Sequence, residues 1–283
     1  MIRKGCVVVK AHIMNDNQTY FVGVGAMRSG TTWLHSYLED RDDVFVPRIK
    51  ELHYFNVKFK PDLSQNRQRR LYSDTADALG AVAAGQVAPD SAMLWERFDR
   101  LAMERDPAAY KAFFERRVME THRVFGEITP AYSLLDAQQM QAIKDQFPKA
   151  KAIFLLRDPV SRFVSHLSYT NSANLFDDCL QRPGFALRGA YDVIYSNLEH
   201  VFGRNGFHTA FYETLFTDDS IASLCSFLGL PFEPGNYDRR TNASRLDFKP
   251  SVEQIHKARR QFAPIYDFCQ EKFGDDLPAG WLT

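Results

Sequence analysis

Arg28, Ser29, Gly30, Thr31 and Thr32 form the stretch of this chain whose residue types and order could hold an anion. A cation precedes a glycine, two hydroxyls follow it, and ahead of them stands an apolar run, residues 20–24, that reads as a buried strand. Behind them Trp33, Leu34, Tyr37 and Leu38 open a helical pattern. Strand, glycine-bearing loop and helix in that order make a cradle, because successive backbone N–H groups and the positive end of the helix dipole converge on one point. Phosphate is the anion expected there. In nucleotide triphosphatases the second glycine of such a loop is followed by Lys, which lies on the β- and γ-phosphates, and then by Ser or Thr. Residues 25–30 fit that glycine frame, but Thr31 stands in the lysine's place and the cation of the loop is Arg28. The cradle is kept and its charge is moved.

A second anion site is suggested further along. Arg157 closes an apolar run, residues 151–156, and Asp158-Pro159 follow it as the cap and first-turn proline of a helix. In that helix Ser161 and Ser165 share a face, whereas Arg162 and His166 project elsewhere. Arg157 and Ser165 can converge on one anion, the guanidinium supplying charge and the hydroxyl a directed donor. Taken alone, the same pattern fits a strand-end arginine paired with Asp158. Beside the cradle, two separate phosphate sites become the better account.

These residues need elements to position them. Strand-like runs recur at residues 20–24, 44–46, 124–126, 151–156 and 208–212, with helical patterns between them, such as residues 137–147 with Met140, Ile143 and Phe147 at spacings of three and four. The alternation predicts an α/β fold, a three-layer sandwich whose central parallel sheet is covered on both faces. Ligands in such sheets bind at the carboxyl ends of the strands, where Arg28 and Arg157 both fall. Residues 58–119 carry no strand signal and read as a helical insertion, with Arg67, Arg69 and Arg70 on an expected solvated face. Residues 171–189 read as loop-rich and residues 251–273 as a packing helix. The whole chain, residues 1–283, is expected to form one domain.

Several segments in register resemble one family. Arg28–Leu34 resembles the 5′-phosphosulfate loop of the sulfotransferases that use 3′-phosphoadenosine-5′-phosphosulfate (PAPS), in which Lys is usual at the position of Arg28. Arg157 with Ser165 eight residues later matches the family's second signature, and the likeness extends to residues 50–55 (KELHYF), 126–132 (GEITPAY) and 211–213 (FYE). The resemblance implies PAPS as co-substrate and adenosine-3′,5′-bisphosphate as product. Arg28, Ser29, Gly30, Thr31 and Thr32 would hold the 5′-phosphosulfate, and Arg157 and Ser165 the 3′-phosphate. Trp33 and Tyr212 match aromatic residues that contact adenine in the cytosolic members.

Sulfuryl transfer to a hydroxyl or amine needs a base for the acceptor proton, positive charge around the moving SO3 group, and a cation or donor at the bridging oxygen. By resemblance Arg28 takes the last role, acting electrostatically because an arginine does not give up its proton. Lys50, Glu51 and His53 are the remaining catalytic candidates. In an extended segment Glu51 and His53 share one face and Lys50 lies on the other. Members that sulfate carbohydrates use the Glu of a similar segment as base, which favours Glu51; the cytosolic members use a His from another motif. Where those carbohydrate enzymes have Lys-Thr-Pro-Ala-Tyr this chain has Ile128 before Thr129, so the acceptor can differ. The late Arg-Lys-Gly segment of the cytosolic members is absent, and residues 241–245 (TNASR) are its candidate substitute.

Composition bounds the rest. A formal net charge of +0 and a pI near 7.1 give no global field for nucleic acid or a membrane surface, so anion binding must be local. The four cysteines are scattered with no CxxC pair, which suits a reducing, cytoplasmic setting and neither zinc nor a disulfide framework. No stretch approaches the roughly 20 apolar residues that span a bilayer. No metal site is expected, the histidines lacking ligand spacing. The partner expected is a small-molecule or carbohydrate acceptor. The competing readings are a P-loop small-molecule kinase, opposed by Thr31 and by the lack of a recognisable metal-binding Asp, and a nucleotide-binding module without activity. The sequence does not specify the acceptor or the oligomeric state.

Overall fold

A computed structural model describes residues 17–86, 91–104, 106–239 and 248–281. Its centre is a five-stranded parallel sheet of β1 (Thr19–Gly25), β2 (Val44–Phe45), β3 (Val124–Ile128), β4 (Lys151–Leu156) and β5 (Phe207–Phe211), in the order β2-β3-β1-β4-β5. All five runs expected from the sequence are strands, with ends matching to within two residues. β1 pairs Tyr20 with Phe125 of β3 on one side and Val22 with Ala152 of β4 on the other. Gly126 allows that pairing, since a Cβ there would lie 1.9 Å from the Phe21 carbonyl oxygen.

Alternation along each strand feeds two cores. Val22, Val24, Phe125, Ala152, Phe154 and Leu156 face one layer; Phe21, Val124, Ile128, Ile153 and Leu155 face the other. Connections run through helices α1 (Thr31–Glu39), α2 (Tyr54–Phe59), α3 (Pro61–Ala83), α4 (Ser91–Ala102), α5 (Ala109–Glu115), α6 (Ala137–Gln146), α7 (Pro159–Thr170), α8 (Phe176–Gln181), α9 (Pro183–Ala186), α10 (Tyr191–Phe202), α11 (Asp218–Leu228), α12 (Val252–Gln261) and α13 (Ala263–Phe273). α1 and α11 cover the second face, through Trp33, Leu34, Leu38, Ile221, Leu224 and Leu228. α5, α6 and α10 cover the first. The molecule is an α/β sandwich with helices on both sides of its sheet.

The segment between β2 and β3 is helical, from α2 to α5. Two expectations change. Residues 171–189 are not a loop but a succession of short helical turns, because Phe176, Cys179 and Leu180 bury themselves with Phe163 and Leu167 of α7. The C-terminal segment is two helices, broken at Phe262, with Pro264 in the first turn of α13. Residues 241–245 lie outside the described residues. Among the described residues, no helix is long and apolar enough to cross a membrane, and no group of three or more His, Cys, Asp or Glu could hold a metal ion.

Candidate active site

The carboxyl ends of the strands open into a cleft of ≈ 940 Å³. Its lining includes Arg28, Gly30, Thr31, Thr32, Trp33, Lys50, Glu51, Arg67, Arg157, Ser165 and Tyr212, from five separate stretches of chain. β1 lies at the point where the strand order reverses, between β3 and β4, which is where such sheets bind ligands.

The loop after β1 ends in Gly30, whose φ of 87° caps α1 in the left-handed region. A Cβ at Gly30 would come within 2.9 Å of Leu215 and 3.2 Å of Tyr212, so glycine is required by both backbone and space. Arg28 also has positive φ, at 72°, and its Nε donates to Ser165 Oγ at 3.0 Å. Arg157 Nη1 donates to the Arg28 carbonyl oxygen at 3.1 Å, and its guanidinium lies 4.3 Å from the Tyr212 ring centre. The two arginine motifs, far apart in sequence, are thus joined directly. Burial and the neighbouring Arg157 charge push the Arg28 guanidinium below its ordinary range. Around Arg157 the backbone is held by Tyr191, whose hydroxyl donates to the Arg157 carbonyl oxygen at 2.7 Å. Asp158 caps α7 by accepting from the Ser161 N–H at 2.7 Å.

Two candidates are almost wholly buried. Ser29 is fully buried and its hydroxyl has no hydrogen-bond partner among the described residues, so only its backbone is placed to serve the loop. Trp33 is 3% exposed; its indole donates to the Asn236 carbonyl oxygen and packs against Tyr37, Phe216 and Tyr237.

Opposite the loop, residues 50–53 are not extended. Glu51 and His53 both have positive φ, 66° and 54°, costing about 1–3 kcal/mol each. The broken alternation gathers all three polar side chains instead of splitting them between faces. Lys50 Nζ bridges Thr32 Oγ1 at 2.9 Å and Glu51 Oε1 at 3.0 Å. Glu51 Oε2 accepts from Arg67 Nη1 at 2.7 Å and faces His53 Nε2 at 3.0 Å. Burial pushes the Glu51 carboxyl up, but His53, Lys50 and Arg67 together hold it well below the usual carboxylate range. His53 Nδ1 faces Asn56 Oδ1 at 3.1 Å, and the Asn56 amide is oriented by donating to the Ala131 carbonyl oxygen at 2.9 Å. Both ring nitrogens of His53 therefore face oxygen acceptors, and neither offers a lone pair to the cleft.

What holds this strained segment comes from β3. Glu127 is 1% exposed and accepts four hydrogen bonds, from Tyr110 and Tyr132 hydroxyls at 2.6 and 2.7 Å, from the Thr129 hydroxyl at 2.6 Å, and from the Leu52 N–H at 3.0 Å. Leu52 is pinned on its other side too, its carbonyl oxygen accepting from Arg100 Nε. Burial and the Glu127 charge push the Tyr110 and Tyr132 phenols far up. Sequence reasoning missed Glu127 as a site residue; the signal was a carboxylate inside the apolar run of β3. Arg67, Arg69 and Arg70 lie on the exposed face expected of them, and from that face Arg67 reaches Glu51, a contact that periodicity does not report.

The comparisons with known proteins bear on the fold and the family. No curated protein matches the sequence. Among solved structures, a sulfotransferase from Alicyclobacillus acidocaldarius superposes with a TM-score of 0.64 at 20% identity, covering 96% of this chain and 100% of that one. The sulfotransferase domain of the Synechococcus PCC 7002 olefin synthase gives 0.53 at 18% identity, covering 88% and 95%. At such identities the likeness is one of fold. The sequence model of the sulfotransferase family matches residues 21–234, which include the arginine loop, the Glu51 segment and Arg157, and the chain belongs to that family.

Proposed function

We propose that the chain transfers the sulfuryl group of PAPS to an acceptor hydroxyl or amine on a small or carbohydrate-like molecule. The observation that carries this reading is Lys50, whose ammonium joins the anion loop at Thr32 to the carboxylate of Glu51 on the facing wall. A transfer site needs a cation and a base meeting at one point, and this is such a point. The backbone N–H groups of residues 28–32 and the N-terminus of α1 would hold the 5′-phosphate, and Arg157 with Ser165 the 3′-phosphate. Tyr212 would lie along the adenine, with Trp33 supporting that wall.

In the reaction, the acceptor oxygen or nitrogen forms a bond to sulfur as the bond from sulfur to the bridging phosphate oxygen breaks. Glu51 takes the acceptor proton, and Arg28 and Lys50 face the negative charge that develops on the bridging oxygen. A carboxylate held this low is a weak base, so its strength depends on Lys50 and Arg67 turning toward incoming anions. His53, with both nitrogens engaged, orients Glu51.

The test is transfer of labelled sulfate from PAPS across an acceptor panel, with calorimetric titration of adenosine-3′,5′-bisphosphate, AMP, ADP and ATP. Tighter binding of the bisphosphate and transfer of label that persists in EDTA are expected. Phosphate transfer from ATP and Mg²⁺ without sulfate transfer would overturn the assignment.

A further inference from the structure

Arg28 is held from α7 as well as from its own loop. Its backbone is left-handed, with a φ of 72°, and its carbonyl oxygen accepts from Arg157. Its guanidinium meets two side chains one turn apart on α7, Ser165 and Tyr169. Ser165 Oγ accepts from Arg28 Nε at 3.0 Å, at the edge of the guanidinium. Arg28 Cζ lies over the Tyr169 ring, 4.8 Å from its centre. Burial and the Arg157 charge both act against a cation at Arg28, and the electron-rich face of an aromatic ring offsets such a cost.

Tyr169 is 45% exposed and lines the same cleft as Lys50 and Glu51, so core packing does not account for its ring. The turn that carries it is nonetheless fixed. Leu167 is fully buried in a cluster with Phe163 and Phe176, and its carbonyl oxygen accepts from the Ser172 N–H at 2.9 Å. Asn171 ends α7 with a φ of 55°. One helix thus sets both the Ser165 hydroxyl and the Tyr169 ring in place. Arg157 has a matching seat over Tyr212, whose ring packs edge-on against Phe216. An ammonium is a point charge, whereas a guanidinium is a plane with its donors fixed on the rim, so its aim depends on what lies against its face.

We propose that Tyr169 is a positioning residue for sulfuryl transfer: with Ser165 engaging Nε, its ring holds the Arg28 guanidinium so that the Nη groups aim at the bridging oxygen of the donor. This rests on the reading of the cleft as a PAPS site. Arg28 stands where Lys is usual in the family, and the ring is what makes an arginine serviceable at that position.

The test compares wild type with Tyr169→Leu and Tyr169→Phe in two measurements. In the first, nucleotide-free protein is treated with phenylglyoxal, and modification of Arg28 and Arg157 is followed by peptide mass spectrometry. Arg28 should react faster in Tyr169→Leu than in wild type or Tyr169→Phe, with Arg157 unchanged as the internal control. The second is steady-state transfer of labelled sulfate from PAPS to the best acceptor of the panel. Tyr169→Leu should lower kcat about 5- to 10-fold with little change in either KM, and Tyr169→Phe should retain activity. Unchanged kcat in Tyr169→Leu overturns the proposal; if the acceptor KM rises instead, Tyr169 is an acceptor contact. Equal Arg28 reactivity in all three proteins overturns it as well. Wild type that transfers no sulfate from PAPS would instead remove the reading of the function, and the reactivity of Arg28 then decides whether Tyr169 holds it.

Discussion

The two walls of the cleft are held by different means. The backbone turns of the anion-loop wall are local, Gly30 turning the chain, α1 starting at Thr31 and Asp158 capping α7 within a few residues of Arg157, although Arg28 and Arg157 meet only in the tertiary fold. The Glu51 wall is held from a distance. Glu127 and Arg100, 75 and 48 residues away from Leu52, pin both sides of its backbone and keep Glu51 and His53 in left-handed conformations. Two locally turned loops thus face a carboxylate whose placement depends on a buried polar hub. The two walls should then respond separately to mutation.

The largest expected separation is at Glu51. Glu51→Gln keeps size and some hydrogen bonding but cannot take a proton, so turnover should fall roughly 10²–10⁴-fold, while calorimetry finds bisphosphate affinity nearly unchanged. His53→Ala should lose less, through orientation of Glu51. The reverse ranking would make His53 the base and require its ring to leave Asn56. On the opposite wall, Arg157→Ala should remove the preference for the bisphosphate over AMP, about 1.5–3 kcal/mol, and leave AMP binding in place. Loss of AMP affinity to the same degree would show that Arg157 acts mainly by bracing the Arg28 carbonyl.

Glu127→Gln tests the hub. An amide cannot accept four hydrogen bonds, so at least one buried donor loses its partner and about 1–3 kcal/mol of stability should go, read as a lower Tm. Turnover should fall with nucleotide affinity retained. If nucleotide binding falls in step, the walls are coupled and the contrast fails. The smallest effect concerns pH. Burial, with the Arg162, Arg188 and Arg28 charges at His166, holds His166 down to about 3, and burial holds His208 down to about 4, so both fold as neutral groups. A histidine depressed in the folded state adds stability that is present above the unfolded pKa of about 6.5 and is lost as pH falls below it. Urea unfolding should therefore show roughly 1 kcal/mol lost per histidine between pH 7.5 and 5.5, and His166→Gln should flatten that slope. Glu51, depressed as a carboxylate, adds a further loss only below about pH 4.5.

The anion loop, the five strands and the Arg157–Ser165 helix were legible in the sequence because each rests on short-range rules. Apolar runs of strand length alternate with helical periods, a glycine sits where φ must be positive, and an Asp-Pro pair opens a helix. Family likeness added an expected identity for the anion. The sequence could also name Lys50, Glu51 and His53, but not their arrangement. An extended reading split them between two faces, and only the tertiary hydrogen bonds from Glu127, Thr129 and Arg100 hold the backbone in the conformations that bring them together. Arg67 lay in a segment read as a solvated face. Periodicity reports which side of an element is apolar; it says nothing of which distant charge that side will meet. That Arg67, exposed on α3, reaches Glu51 was decided by how α3 packs over the cleft.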